Sequence, residues 1–305
     1  MVVLEPPGSL RQTASQEDGV SPATEAALRS YGAGLIQQAG ILLRCRQVVM
    51  VSAQIILQRF YFRKSLMSFD VRRVAAAALL LATKLEEQPR KLTSVAKCVY
   101  VLACREDGIS MDLSSPQFLT MKTEVIRVER HILREMGFAI GQLLEPPHKL
   151  VLQYAAVLEC PKEITQKAWG FLNDAMRTTV CCQFEPNIIA VAGISLAART
   201  LEFPLPQEPD AWWEIFDASY DEVVAVCERV WQVYNQRPPR YVNLSKGAGM
   251  PIASPTSSFW APASERSDGG LGRTDSVGGK PQDLENPSLD RMNEMMDEKE
   301  LVDLT

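Results

Sequence analysis

Histidine and net positive charge are both scarce in this chain, and each shortage removes a class of function. Only two histidines occur, His131 and His148, and no CxxC, HxxxH or HExxH spacing accompanies them. No zinc site, and no other metal or cofactor, is therefore expected. Basic residues number 32 against 37 acidic, for a net charge of −5. No global cationic field exists to hold a nucleic acid or an anionic membrane. The apolar runs at 74–82 and 188–194 fall short of the roughly 20 residues that cross a bilayer. The opening MVVLEPPGSLRQ lacks a basic region followed by an apolar stretch, so an intracellular chain is expected. The seven cysteines are odd in number and scattered, which speaks against a disulfide framework. Adjacent Cys181 and Cys182 read as small buried hydrophobes. Neither GxSxG nor a kinase catalytic-loop motif is present, and Gly278-Gly279-Lys280 lies in a Gly/Ser-rich stretch without the strand and helix of a phosphate loop.

What is present is helix. Phe118, Met121, Val125, Val128, Ile132 and Met136 recur at steps of three and four and so line one face. Gly137 follows as a left-handed stop, with Phe138 placed for the apolar contact of a Schellman cap. Leu28, Tyr31, Leu35 and Leu42 form a second stripe, and Thr24 stands where an N-cap is wanted. A third helix starts after Asp70 and is ended by Pro89. The VVMV and IIL runs are too short for periodicity to assign. About ten helices are expected in all.

The ends differ in composition. Residues 1–22 are rich in Pro, Gly, Ser and Gln and read as a flexible lead-in. Residues 245–305 hold eight Ser, seven Gly and five Pro with a charge of −5, which reads as a disordered acidic tail. Between them the chain resembles itself. Ala75–Pro89 laid over Ala190–Pro204, an offset of 115, matches at six of fifteen positions. Val128-Glu129-Arg130 is answered by Cys227-Glu228-Arg229, and Gln58-Arg59-Phe60 by Met176-Arg177-Thr178. Two five-helix units, each built around an Ala-rich helix, account for the repeated order.

The runs LATKLEEQP and IRVERHILREMGF resemble the cyclin box. LIQQAGILLR at 35–44, QRFYFRKS at 58–65, PHKL at 147–150, LEC at 158–160 and LAARTLEFPLP at 196–206 are similar to L-type cyclins. The resemblance covers roughly residues 20–240 and implies an all-α fold of two tandem five-helix cyclin boxes, at 23–140 and 145–240. It implies a regulatory subunit without an active site, which docks its first box on the regulatory helix of a cyclin-dependent kinase and activates it. The implied partner is a kinase of the PITSLRE type or a related transcriptional kinase. A nuclear location follows, with splicing or transcription factors nearby.

The resemblance also implies site residues. Lys84 and Glu129 would hydrogen-bond kinase backbone groups, while Leu81, Leu85, Leu133 and Phe138 would form the apolar part of the surface. As ordinary solvated charges, Lys84 and Glu129 would contribute at most about 1 kcal/mol. Arg29 resembles a first-helix arginine of the family whose acidic partner is replaced here by Gln58, and it reads as structural. The first-helix run LRSYG departs from the apolar patch by which cell-cycle cyclins capture RxL substrates. The tail lacks the Arg-Ser repeats common in L-type members, so targeting to splicing bodies is not implied. Two other readings stay open: a general transcription factor with tandem cyclin folds, which generally has a basic core and a zinc ribbon, and a helical scaffold with no kinase partner.

Overall fold

The computed structural model describes residues 13–244 apart from 111, 139, 141–143, 207–210 and 237. The expectations for residues 1–12 and for the acidic tail at 245–305 lie outside the described residues. Those described form eleven α-helices: α1 (Ala14–Glu17), α2 (Pro22–Leu42), α3 (Gln47–Arg63), α4 (Val71–Leu85), α5 (Leu92–Asp107), α6 (Pro116–Met136), α7 (Pro147–Val157), α8 (Lys162–Ala175), α9 (Val180–Gln183), α10 (Pro186–Thr200) and α11 (Tyr220–Asn235). A 3-10 turn at Glu214–Phe216 precedes α11.

Local chemistry sets the starts. The Asp70 carboxylate accepts from the Arg72 and Arg73 amides at 3.1 and 3.2 Å and opens α4. Ser115 accepts from the Phe118 amide to open α6, and Ser21 rather than Thr24 caps α2, accepting from the Thr24 amide at 3.1 Å. The reason for that correction is Pro22, which suits the first helical position because it lacks an N–H. The lead-in expectation for 1–22 also needs correction over 13–22. There α1 is capped by Thr13, and the buried Ser15 hydroxyl accepts from the Leu66 amide. The VVMV and IIL runs belong to the single helix α3.

The stops reveal the repeat most clearly. After α4, the Gln88 amide donates to the Thr83 carbonyl and the Glu87 amide to Lys84, while Glu87 takes φ 52°. This is a Schellman ending with a glutamate in the left-handed position usually given to glycine. The same pattern closes α2 at Arg44, α7 at Glu159 and α10 at Glu202. Arg44 and Glu159 are 115 residues apart, as are Glu87 and Glu202 and the first residues of α4 and α10. The first residues of α3 and α8 keep the same offset, so Gln58 is equivalent to Asn173 and the proposed match of Gln58 to Met176 is out of register.

Each Ala-rich helix is central, as the periodicity implies. Helix α4 packs against α2, α3, α5 and α6, and α10 against α7, α8 and α11. Small side chains let these neighbours approach closely. At Gly32 a Cβ would stand 2.6 Å from Val71 Cγ2, so this crossing of α2 and α4 has room only for hydrogen. In the second half, the place of α5 in the repeat is taken by the 3-10 turn, and Pro204 and Pro206 follow the end of α10. The two buried clusters meet along α3, whose Val51 and Ile55 belong to the second cluster while Val49, Ala53, Ile56 and Leu57 belong to the first. Polar contacts reinforce the seam. The Gln47 amide donates to Asn173 at 2.7 Å, and Gln58 donates to the Arg177 carbonyl at 3.3 Å.

Candidate docking surface

The end of α4 and the middle of α6 bring Lys84 and Glu129 together. Lys84 Nζ lies 2.6 Å from Glu129 Oε1; the glutamate side chain is 10% exposed and the lysine 51%. Glu129 sits at the edge of the buried stripe formed by Phe118, Met121, Val125, Val128 and Ile132, and core packing fixes its backbone. An ammonium has three donors, so Lys84 can hold Glu129 and still donate to a carbonyl presented from outside. The Glu129 carboxylate, bonded on one oxygen and exposed only at its edge, keeps acceptor capacity for an external N–H. The pair is thus a donor and an acceptor held side by side on a rigid base.

The rest of the LATKLEEQP run builds that base. Glu86 accepts from the Ser52 hydroxyl at 2.6 Å, and its carbonyl accepts from the Arg46 guanidinium at 3.0 Å. The Arg46 amide donates to the Gln88 side chain at 3.0 Å. The end of α4, with Lys84 on it, is therefore tied to the start of α3.

The apolar residues divide. Leu85 and Leu133 are partly buried against the first core and keep an outer edge. Leu81 is 4% exposed and lies inside that core, which corrects its expected place in the interface: it supports the surface from beneath and offers a partner almost nothing. Phe138 is 82% exposed. Gly137 takes φ 78° and ψ 156°, outside the left-handed helical region, so the chain turns outward and the expected Schellman contact of Phe138 does not form. The aromatic ring is left free beside the end of α6.

Sequence reading missed Leu119 and Ile126, which are 55% and 43% exposed. They precede Leu133 at steps of seven on α6 and extend its outer edge into an apolar ridge. Their signal was present as a second apolar stripe beside the buried one. Arg29 is structural, as expected, but its acid was missed. It lies one turn back at Glu25, 2.9 Å away, and Arg29 also donates to the Gln58 side chain at 2.9 Å. Tyr31 of the LRSYG run is likewise committed inward, its hydroxyl donating to Glu106 at 2.6 Å.

Among the described residues no cluster of three or more His, Cys, Asp or Glu is placed to hold a metal, and no helix is long and apolar enough to cross a membrane. Its hydrogen bond with Cys182, and then burial, push the Cys181 thiol up, so it stays protonated and unreactive.

Comparison with known proteins agrees with this architecture. Residues 10–141 match the family model described as the cyclin N-terminal domain. Cyclin-L1-1 of Arabidopsis thaliana is 40% identical over 240 residues, 78% of this chain and 57% of the relative. Cyclin-L2 of Mus musculus is 39% identical over 77% of this chain and 45% of its own length, and Cyclin-L1 of Homo sapiens 38% identical over 80% and 46%. The chain thus spans about half the length of the curated relatives it matches. A chain of the yeast RNA polymerase II CTD kinase CTDK-1 complex has a similar fold, with a TM-score of 0.62 at 16% identity over 76% of this chain and 73% of that one. A chain of the CAK complex of Chaetomium thermophilum aligns with a TM-score of 0.50 at 18% identity, over 79% and 68%. With these similarities, its all-helical repeat and its box motifs, the chain belongs to the cyclin family and groups with the L-type cyclins.

Proposed function

We propose that this chain is a regulatory subunit that binds and activates a cyclin-dependent kinase of the transcriptional or splicing-associated class, in the nucleus, and is not itself an enzyme. The half at 23–140 docks on the kinase regulatory helix and the half at 145–240 braces it through α3. The observation that carries this reading is the Lys84–Glu129 pair at 2.6 Å; Leu85 follows Lys84 in α4, Leu133 lies one turn beyond Glu129 on α6, and the exposed Phe138 follows the end of that helix. In this reading the pair donates to and accepts from backbone groups at the end of the kinase helix, and the apolar residues bury that helix's exposed face. Docking holds the helix in the position where its glutamate pairs with the phosphate-binding lysine and the activation loop orders. The kinase of this proposal is of the PITSLRE type or a related transcriptional kinase, and the CTD-kinase and CAK complexes whose chains share the fold support a transcriptional setting.

The test is the double substitution Lys84→Glu with Glu129→Lys. The exchange keeps an opposite-charge pair across α4 and α6, so the fold is retained, but it reverses the donor and acceptor offered to the kinase. Tagged wild-type chain is expected to recover one cyclin-dependent kinase from nuclear extract and raise its phosphorylation of an RNA-polymerase-tail peptide. The folded double variant is expected to lose both. Recovery of no such kinase by the wild-type chain would sink the proposal in favour of a scaffold.

A further inference from the structure

We infer that the aromatic surface around the 3-10 turn of the second half docks an arginine- or lysine-rich segment of a partner protein. The repeat explains why this surface exists. In the first half the element after the Ala-rich helix is α5, with 16 residues; in the second half it is a turn of 3 residues, which covers less. Trp213 stays partly exposed, its ring centre 5.4 Å from that of Tyr220. Tyr220 is 39% exposed, and Ile215 of the same turn 58%. The base is rigid. The Trp213 carbonyl accepts from the Phe216 and Ala218 amides at 3.1 and 3.3 Å, and the buried Phe216 ring stacks 4.0 Å from Tyr154 of α7. No residue is shared with the Lys84–Glu129 surface on α4 and α6.

Charge defines the occupant. Between Arg199 and Arg229 the sequence holds eight Asp or Glu and no Lys, Arg or His. The offset of 115 residues shows which cation is missing. In the first turn of α4, Arg72 neutralises Glu106 and Asp107 at the end of α5. Its equivalent in α10 is Asn187, which ties down the matching element by donating to the Phe216 and Asp217 carbonyls at 3.0 and 3.3 Å. An amide brings no charge. Among the described residues Glu214, Asp217 and Asp221 form no ion pair. All three are exposed, and Glu214 and Asp221 directly follow Trp213 and Tyr220. Their sign reaches across to α7, where burial and then the charges of Glu145 and Asp217 push the Tyr154 hydroxyl up.

Aromatic faces and unpaired carboxylates select the same ligand. A guanidinium or ammonium within about 6 Å of a Trp or Tyr ring centre is attracted to its face, and neighbouring carboxylates accept its N–H groups in charge-assisted bonds. The chain's own tail at 245–305 carries a charge of −5, so it does not supply that ligand. A nucleic acid is repelled by the same field. The chemistry fits a short basic segment of protein.

The test uses the full chain and a fluorescein-labelled decapeptide of alternating Arg and Gly, read by fluorescence anisotropy at about 0.15 M salt. Saturable binding is expected, with none for the same peptide bearing Glu in place of Arg. Glu214→Lys with Asp221→Lys is expected to weaken binding by about tenfold or more, and Tyr220→Ala by about twofold to fivefold, with the helical circular dichroism of each variant unchanged. Glu17→Lys with Glu163→Lys makes the same change of net charge on α1 and α8 and is expected to bind as wild type. Absence of binding by the wild-type chain would overturn the inference. So would equal weakening by the two charge variants, which would make the attraction a matter of net charge alone. A dimer of the free chain in sedimentation that Tyr220→Ala dissociates would also overturn it, giving the surface to a second copy. No kinase is present in the assay, so its outcome is independent of the docking proposal.

Discussion

Removing the Arg72 guanidinium is expected to destabilise the first half more than any substitution at its surface. Arg72 is 0% exposed and donates to both oxygens of Asp107, at 2.7 and 2.9 Å, with further bonds to Tyr31 at 2.8 Å and Glu106 at 3.1 Å. Its carbon Cζ lies 3.8 Å from the centre of the Tyr241 ring, and the Tyr241 hydroxyl donates to the α4 cap Asp70 at 2.6 Å. One side chain thus joins α2, α4, α5 and the segment after α11. Arg72→Met preserves much of the volume but leaves the Asp107 carboxylate, 9% exposed, without its cation. Breaking a buried pair by removing one partner costs about 3–5 kcal/mol. For a folded region of this size that lowers the melting temperature by about 6–20 °C. Chemical denaturation of the full chain measures the free energy directly. The double variant Arg72→Met/Asp107→Leu removes both charges and is expected to recover most of the loss. A single-variant cost below about 1 kcal/mol, or a double variant as unstable as the single, would refute the reasoning that the cost is a stranded charge.

Other expectations follow from packing and titration. Burial holds the His148 imidazole down to about 4, below its ordinary 6.5, with Nε2 2.9 Å from Asn173 Oδ1. The unfolded chain therefore binds the proton first, so stability is full above the ordinary value and falls by about 3 kcal/mol as pH drops toward 4. His148→Gln should flatten the denaturation midpoint across that window, and identical pH slopes would contradict the assignment. Gly32→Val, forced against Val71 at 2.6 Å, should cost about 1–3 kcal/mol by overpacking. Gly34→Ala, with open space at its Cβ, should be neutral or stabilising by up to about 1 kcal/mol; similar melting curves for the two would disprove the close crossing. Phe138→Ala should leave the melting temperature unchanged, since the ring is 82% exposed, while weakening kinase capture; capture equal to wild type would remove Phe138 from the surface.

Much of the fold was legible because it is written locally. The limits of α4 lie in Asp70 and Pro89, the face of α6 in a three-and-four spacing, and the tandem architecture in an offset of 115 residues. Local rules failed where two of them competed. Thr24 and Ser21 are both good caps, and Pro22 decides for Ser21. Gly137 looks like a left-handed stop, but the chain takes an extended ψ there and throws Phe138 outward. Long-range pairing was out of reach. Nothing near Arg72 announces that Asp107 and Tyr241 will surround it, since charged residues are mostly exposed. Lys84 and Glu129, 45 residues apart, were singled out through resemblance to the cyclin box, and spacing alone would have left them as two solvated charges. Leu81 shows the reverse error, because a helical apolar spacing cannot say which leucine points to the core and which to a partner.

The central claim is that a kinase docks on the ends of α4 and α6, and hydrogen exchange of the full chain with and without its captured kinase tests it most directly. Protection is expected over residues 82–86 and 126–138, with the amides of α7 to α11 largely unchanged. Protection confined to the second half or to α2 and α5, with 126–138 exchanging as in the free chain, would contradict it.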